Sequence, residues 1–175
     1  MNIKKIENGS NLPNEFMMVV EIVANQIPVK YELDEESGAL FVDRVVGTSM
    51  YYPAHYGFIP NTLGKDGDAL DTLLVANFPI HPGSAIKVRP IGVIIMEDES
   101  GMDEKVLCVP VSKITPYYNN VKDYKDLPEI YIKQLVHFFE RYKDLENGKW
   151  VKVKGIEGLE EAKKIILDCV KNYKA

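Results

Sequence analysis

The chain has 175 residues, 46% of them hydrophobic and 27% charged, with 21 Lys and Arg against 26 Asp and Glu for a net charge of −5. This ordinary globular mix suits one domain, residues 1–175, that buries roughly 70% of its unfolded surface, and it excludes disorder, collagen and fibre. The acidic balance argues against a general binder of nucleic acid or anionic membranes, which needs a cationic surface, but leaves room for a local cationic pocket.

In chain order, Met1 to Asn14 is polar and lacks the apolar core of a signal peptide. Phe16 to Val23 is an apolar, β-branched run interrupted by Glu21 and predicts a strand. Lys30–Leu33 and Leu40–Val46 flank the turn Glu35-Glu36-Ser37-Gly38 and predict a hairpin. In its second arm, Leu40, Val42 and Arg44 are expected on one face, with Phe41, Asp43 and Val45 on the other. Leu70–Val75, Ala85–Met96 and Lys105–Val111 are three further strand candidates. Asp126-Leu127-Pro128-Glu129 predicts a helix start with Asp126 as N-cap, and Asn147-Gly148 predicts its stop. Ile132, Leu135, Val136, Phe139 and Tyr142 recur between them at helical spacing. Trp150–Val153 reads as one more strand, and Leu159, Ala162, Ile166, Cys169, Val170 and Tyr173 mark a second amphipathic helix. The expected fold is α+β and mainly β: a barrel of short strands with two helices packed outside it.

Cys108 and Cys169 sit far apart in apolar runs, which predicts buried free thiols, and His55, His81 and His137 lack zinc-ligand spacing. No run approaches the ~20 apolar residues of a membrane span. Together these predict a soluble protein of a reducing cytoplasm.

The sharpest chemical feature is Asp66-Gly67-Asp68-Ala69-Leu70-Asp71. Its third aspartate enters an apolar strand, where a charge is costly unless paired or metal-bound. The spacing fits an EF-hand poorly, since Asp71 and Asn77 stand where Gly and Glu belong. A second acidic run, Glu97 to Glu104, reads as the loop between two strands. Two such loops meeting at strand ends form a carboxylate cage, which selects hard cations such as Mg²⁺ or Mn²⁺. Lys30, Arg44, Tyr56, Lys105, Tyr142 and Lys143 lie in or beside structured segments and supply groups that grip a phosphate-type anion. Two other classes stay open on these residues alone: an oligonucleotide-binding module, and a Ca²⁺-binding structural domain.

Several stretches carry a resemblance. Glu32–Arg44 (ELDEESGALFVDR), Tyr52–Pro60 (YPAHYGFIP), the triple-aspartate segment, Met96–Glu99 and His137–Leu145 (HFFERYKDL) are similar to the soluble family-I inorganic pyrophosphatases of bacterial type, over roughly Val19 to Val153. The resemblance implies a five-stranded OB-like closed barrel with flanking hairpins and two external helices. It implies Mg²⁺-dependent hydrolysis of pyrophosphate to two orthophosphates by in-line attack of a metal-bridged hydroxide, with several Mg²⁺ per subunit and Mn²⁺ as a substitute. By matched position, Asp66, Asp71 and Asp103 are implied ligands of activating metals, and Glu21 and Asp98 of metals arriving with substrate. Asp68 matches the general base. Lys30, Arg44, Tyr56, Lys105, Tyr142 and Lys143 match groups that hold phosphate oxygens, and Glu32 a polar residue of the substrate site. The resemblance also implies a homo-oligomer, the hexamer common among bacterial members. Tyr131 and Phe138, read as lying off the main apolar stripe, place an expected interface beside His137. Three departures from the family pattern are Ala69, Thr72 and Arg141; none removes an implied ligand.

Overall fold

The computed structural model describes residues 3–26, 28–34 and 36–174. Eight strands and two α-helices occur among them: β1 Phe16–Ile22, β2 Val29–Leu33, β3 Leu40–Val45, β4 His55–Phe58, β5 Asp71–Leu74, β6 Ala85–Asp98, β7 Gly101–Pro110, α1 Glu129–Arg141, β8 Val151–Glu157 and α2 Leu159–Lys174. β1 pairs with both β4 and β6, and the order β1-β4-β5-β7-β6 therefore closes a five-strand ring on itself. Closure removes sheet edges, which answers the aggregation risk of short open strands. All ring pairings are antiparallel except β5 with β7. β8 adds to the distal half of β6, and β2–β3 forms a separate hairpin. A mainly β ring with two helices is the expected fold class.

Strand alternation buries both faces under different partners. Leu73, Ile94 and Leu107 join Leu135, Phe138 and Phe139 of α1 in one cluster. Leu74, Val93, Val106 and Cys108 join Ala162, Ile165, Ile166 and Cys169 of α2 in another. Both cysteines are buried free thiols, as their apolar setting predicts.

Several local expectations change. β4 was not expected, because Pro53 and Gly57 mask it. Gly57 is required there: a Cβ would lie 1.9 Å from the Val19 carbonyl oxygen across the pairing with β1. In β3, Lys30 pairs with Arg44 and Tyr31 with Val42, so Asp43 is an extra, bulged residue. The bulge breaks the predicted alternation and brings the Asp43 and Arg44 side chains together at 2.7 Å. Glu35, first residue of the predicted turn, lies outside the described residues. The acidic run 97–104 is not a loop; β6 and β7 continue through it, leaving only Glu99 and Ser100 between them. Ion pairs to lysines let Asp98, Asp103 and Glu104 lie buried in these strands.

α1 begins three residues after its predicted cap. Asp126 instead completes a capping box with Asp123 on a 3₁₀ turn, Tyr124–Asp126, and Pro128 precedes α1 without a side-chain cap. α1 ends at Arg141, short of Asn147-Gly148, and Tyr142 caps it. Phe138 is buried in the core, and the Tyr131 hydroxyl donates to the Pro53 carbonyl at 2.9 Å. Both residues thus pack inward, contrary to the role given them at an interface.

Candidate active site

The site lies at one end of the ring, on the strand face shared with α1. β5 enters from the acidic turn, so its first residue, Asp71, is held beside Lys105 of the parallel β7. Lys105 Nζ contacts Asp71 Oδ2 at 2.5 Å and Asp103 Oδ1 at 2.9 Å. The Tyr56 hydroxyl of β4 donates to the same Asp71 oxygen at 2.6 Å. Lys105 is 2% exposed and lies 5.2 Å from the Tyr56 ring centre. Burial opposes its charge, but Asp71 and Asp103 outweigh burial and hold it protonated. Burial also pushes the Asp103 carboxyl up and the Tyr56 phenol well up.

A cavity of about 440 Å³ opens beside this group, and Glu21, Lys30, Glu32, Tyr56, Asp66, Asp68 and Asp71 line it. Glu21 of β1 is buried, with Oε1 accepting the Leu33 N–H at 2.8 Å. Its burial pushes the carboxyl up to about 8. Lys30 pairs with Glu32, and with Asp43 at 3.2 Å. Burial opposes the Lys30 charge, while those carboxylates hold it above the usual lysine range. The turn that carries Asp66 and Asp68 is closed by the Gly64 N–H donating to the Asp68 carbonyl at 2.7 Å. Asp66 Oδ1 accepts the Asp68 N–H at 3.1 Å. Partial burial of the Asp66 carboxyl, with Asp103 and Asp68 nearby, pushes it up. The Asp68 side chain is exposed, with no hydrogen bond or ion pair among the described residues.

The remaining expected residues flank the cavity rather than line it. Asp98, at the end of β6, pairs with Lys143 at 2.7 Å, just past the end of α1. Burial and the neighbouring Lys105 and Lys143 act in opposite directions on the Tyr142 phenol, and burial prevails. Arg44 on β3 pairs with Asp43 and reaches Glu146 at 3.2 Å.

Several participants were not expected. Glu99 takes Lys143 at 3.3 Å and Lys149 at 2.6 Å, and despite the opposing effect of burial these cations lower its carboxyl to about 2. Asp43 and Glu146 hold the two cations of the hairpin. Glu99 and Asp43 each adjoin an expected site residue within a motif stretch, which was the available signal; Glu146 and Lys149 lie beyond the last of those stretches and carried none. Tyr173, near the end of α2, also lines the cavity, and no local pattern announced that.

Among the described residues, no three acidic, histidine or cysteine side chains converge to enclose a cation. Lys105 Nζ instead spans Asp71 and Asp103. The donor set still fits a hard divalent cation: it is all oxygen, carboxylate-rich and partly desolvated, a setting in which anions demand positive charge.

The inorganic pyrophosphatase family model matches residues 18–174. The chain belongs to the inorganic pyrophosphatase family. It is 51% identical to the inorganic pyrophosphatase of Agrobacterium fabrum over 174 residues, covering 99% of this chain and 98% of that one. It is 52% identical to that of Escherichia coli over 163 residues, 93% of each chain. Among solved structures, an Anaplasma phagocytophilum inorganic phosphatase superposes with a TM-score of 0.96 at 47% identity, covering 98% of this chain and 100% of that one. The Thermus thermophilus inorganic pyrophosphatase gives 0.95 at 39% identity over 100% of both chains. The family likeness thus spans the ring, both helices and the acidic turn.

Proposed function

We propose that this chain hydrolyses inorganic pyrophosphate to two orthophosphates as a single Mg²⁺-dependent catalytic domain. The observation that carries the reading is the buried Asp71–Lys105–Asp103 chain, braced by Tyr56 and opening onto a cavity edged by Asp66 and Asp68. Bound divalent cations supply charge neutralisation of the diphosphate and acidification of a water. Asp66, Asp71, Asp98, Asp103 and Glu21 are the residues that would hold them, with Mn²⁺ as a substitute for Mg²⁺.

The other side chains divide the remaining work. Lys30, Lys105, Lys143 and Arg44 present cations to phosphate oxygens, and Tyr56 and Tyr142 present hydroxyls. Glu32 holds Lys30 in place. Asp68, exposed and unpaired, is the group free to take the proton from the attacking water. Moving the Lys105 ammonium from Asp71 and Asp103 towards substrate frees both carboxylates, so one rearrangement serves both halves of the site.

Among the described residues, five carboxylates and one lysine line the cavity, a balance unsuited to an oligonucleotide backbone. No helix of the described residues is long and apolar enough to cross a membrane. The two free thiols support a reducing cytoplasm as the setting. The deciding assay is phosphate release from pyrophosphate with Mg²⁺, with chelator, and with Ca²⁺. Mg²⁺ is expected to support turnover, and chelator to abolish it. Ca²⁺ should compete without replacing Mg²⁺, because it is larger and takes looser coordination. No phosphate release with Mg²⁺ would overturn the reading.

A further inference from the structure

Glu104 stands on β7 between Asp103 and Lys105, but alternation turns it to the opposite face. That is the face of Val106 and Cys108, covered by α2. Glu104 is 6% exposed, and its only charged partner among the described residues is Lys65. Lys65 immediately precedes Asp66 and is itself largely exposed. Its side chain therefore reaches from the acidic turn across to the far side of β7.

The same turn has two further ties to α2. The Leu63 N–H donates to the Cys169 carbonyl at 2.9 Å, and Asn172 Nδ2 donates to the Leu63 carbonyl at 3.5 Å. Both ties act before Lys65. Among the described residues, the hydrogen bonds of Asp66 to Asp68 run within the turn, whose far end is tied again only at Leu70, where the N–H donates to Thr62 Oγ1 at 2.9 Å. Gly67 sits at φ +96°, where a glycine leaves the backbone free to take other conformations.

We infer that Lys65 and Glu104 are a positioning pair, which anchors the acidic turn from behind so that Asp66 faces the same cations as Asp71 and Asp103. Neither residue touches substrate. The inference rests on the proposed divalent-cation site. The pair stores positional order rather than charge for the reaction: a carboxylate held in place binds a cation without first losing the freedom of its loop.

The test is Mg²⁺ titration by calorimetry without pyrophosphate, alongside thermal melting and turnover at saturating Mg²⁺. Lys65→Met is expected to weaken Mg²⁺ binding about tenfold, the lower end for partners standing behind metal ligands. Turnover at saturating Mg²⁺ should stay near wild type. Lys65→Arg, which keeps the ion pair, should recover most of the affinity. Glu104→Gln keeps the buried shape, should weaken binding in the same direction, and decides the matter if Lys65→Met does not fold. Wild-type affinity in both Lys65→Met and Glu104→Gln, even with a lowered Tm, overturns the pair's role and leaves the cation site standing. So does a Lys65→Arg variant as weak as Lys65→Met. A wild-type chain that binds no Mg²⁺ overturns the cation site itself, and the pair's role with it.

Discussion

Asp68 and Asp71 stand three residues apart yet have opposite surroundings. Asp71 is engaged by Lys105 and Tyr56, whereas the Asp68 side chain meets no partner among the described residues. Removing a proton acceptor and removing a ligand should therefore look different. Asp68→Asn is expected to keep metal affinity and lose activity by about 10²–10⁴, the range for a general base. Asp71→Asn should raise the Mg²⁺ needed for half-activation. Activity and calorimetric titrations separate the two, and an Asp68→Asn enzyme that regains full turnover at high Mg²⁺ would make Asp68 a ligand. Glu21 supplies a pH signature. The folded chain holds its proton up to about pH 8, while the unfolded chain releases it near 4.3. Its contribution to stability is thus complete below pH 4.3 and is lost as pH rises through about 8. Denaturant unfolding without divalent cations should show Glu21→Gln flattening the pH dependence of stability between about pH 5 and 8. Parallel slopes for the two proteins would contradict this. The residue types were legible because buried carboxylates among apolar residues are conspicuous in sequence. Their partners were not: Lys105 with Asp71 and Lys143 with Asp98 are pairings between distant segments.

Elements place these residues through two local devices that periodicity does not register. The first is the close approach of β4 to β1 at Gly57, which lets Tyr56 reach Asp71. Gly57→Ala puts a methyl against backbone that cannot swing aside, so a loss of about 3 kcal/mol, the upper end for overpacking, is expected in urea unfolding. A cost below about 1 kcal/mol would mean that β1 shifts freely. The second is the bulge at Asp43, which turns Arg44 toward Glu146 in the segment after α1. Arg44→Lys keeps the charge and loses the planar fork, so hydrolysis should slow while Tm and Mg²⁺ affinity hold. Unchanged kcat and KM would remove Arg44 from the site. β4 escaped a reading based on apolar runs because a four-residue strand with a glycine has too little pattern. α1 was recognised by its period, but its start was misplaced because Asp126 belongs to the capping box of a separate 3₁₀ turn.

The molecule as a whole leaves an apolar surface on the β2–β3 hairpin, where Phe41, Val42 and Val45 are each more than half exposed. By their pairing with β2, Val42 and Val45 share one face of the hairpin and Phe41 the other, and we propose the Val42–Val45 face as a contact surface between copies. Tyr131 and Phe138 no longer point to one, since the core and the Pro53 carbonyl occupy them. Light scattering is expected to report a homo-oligomer, a hexamer by family likeness, and Val42→Lys to shift it toward smaller species. A wild-type monomer at every concentration would refute assembly.

Composition, apolar periodicity and the acidic motif by themselves determined the mainly β class, most of the strands, both helices and the residue types of a cation and phosphate site. These are local properties: a period of two or 3.6, a turn signal, or a charge placed in an apolar run. Only the tertiary structure decided that the strands close through β1 and β6, that Lys105 reaches Asp71, and that Lys65 ties the acidic turn to the back of β7. Each of these joins segments tens of residues apart. Such a pairing depends on how the ring closes, and no window of the sequence contains both partners.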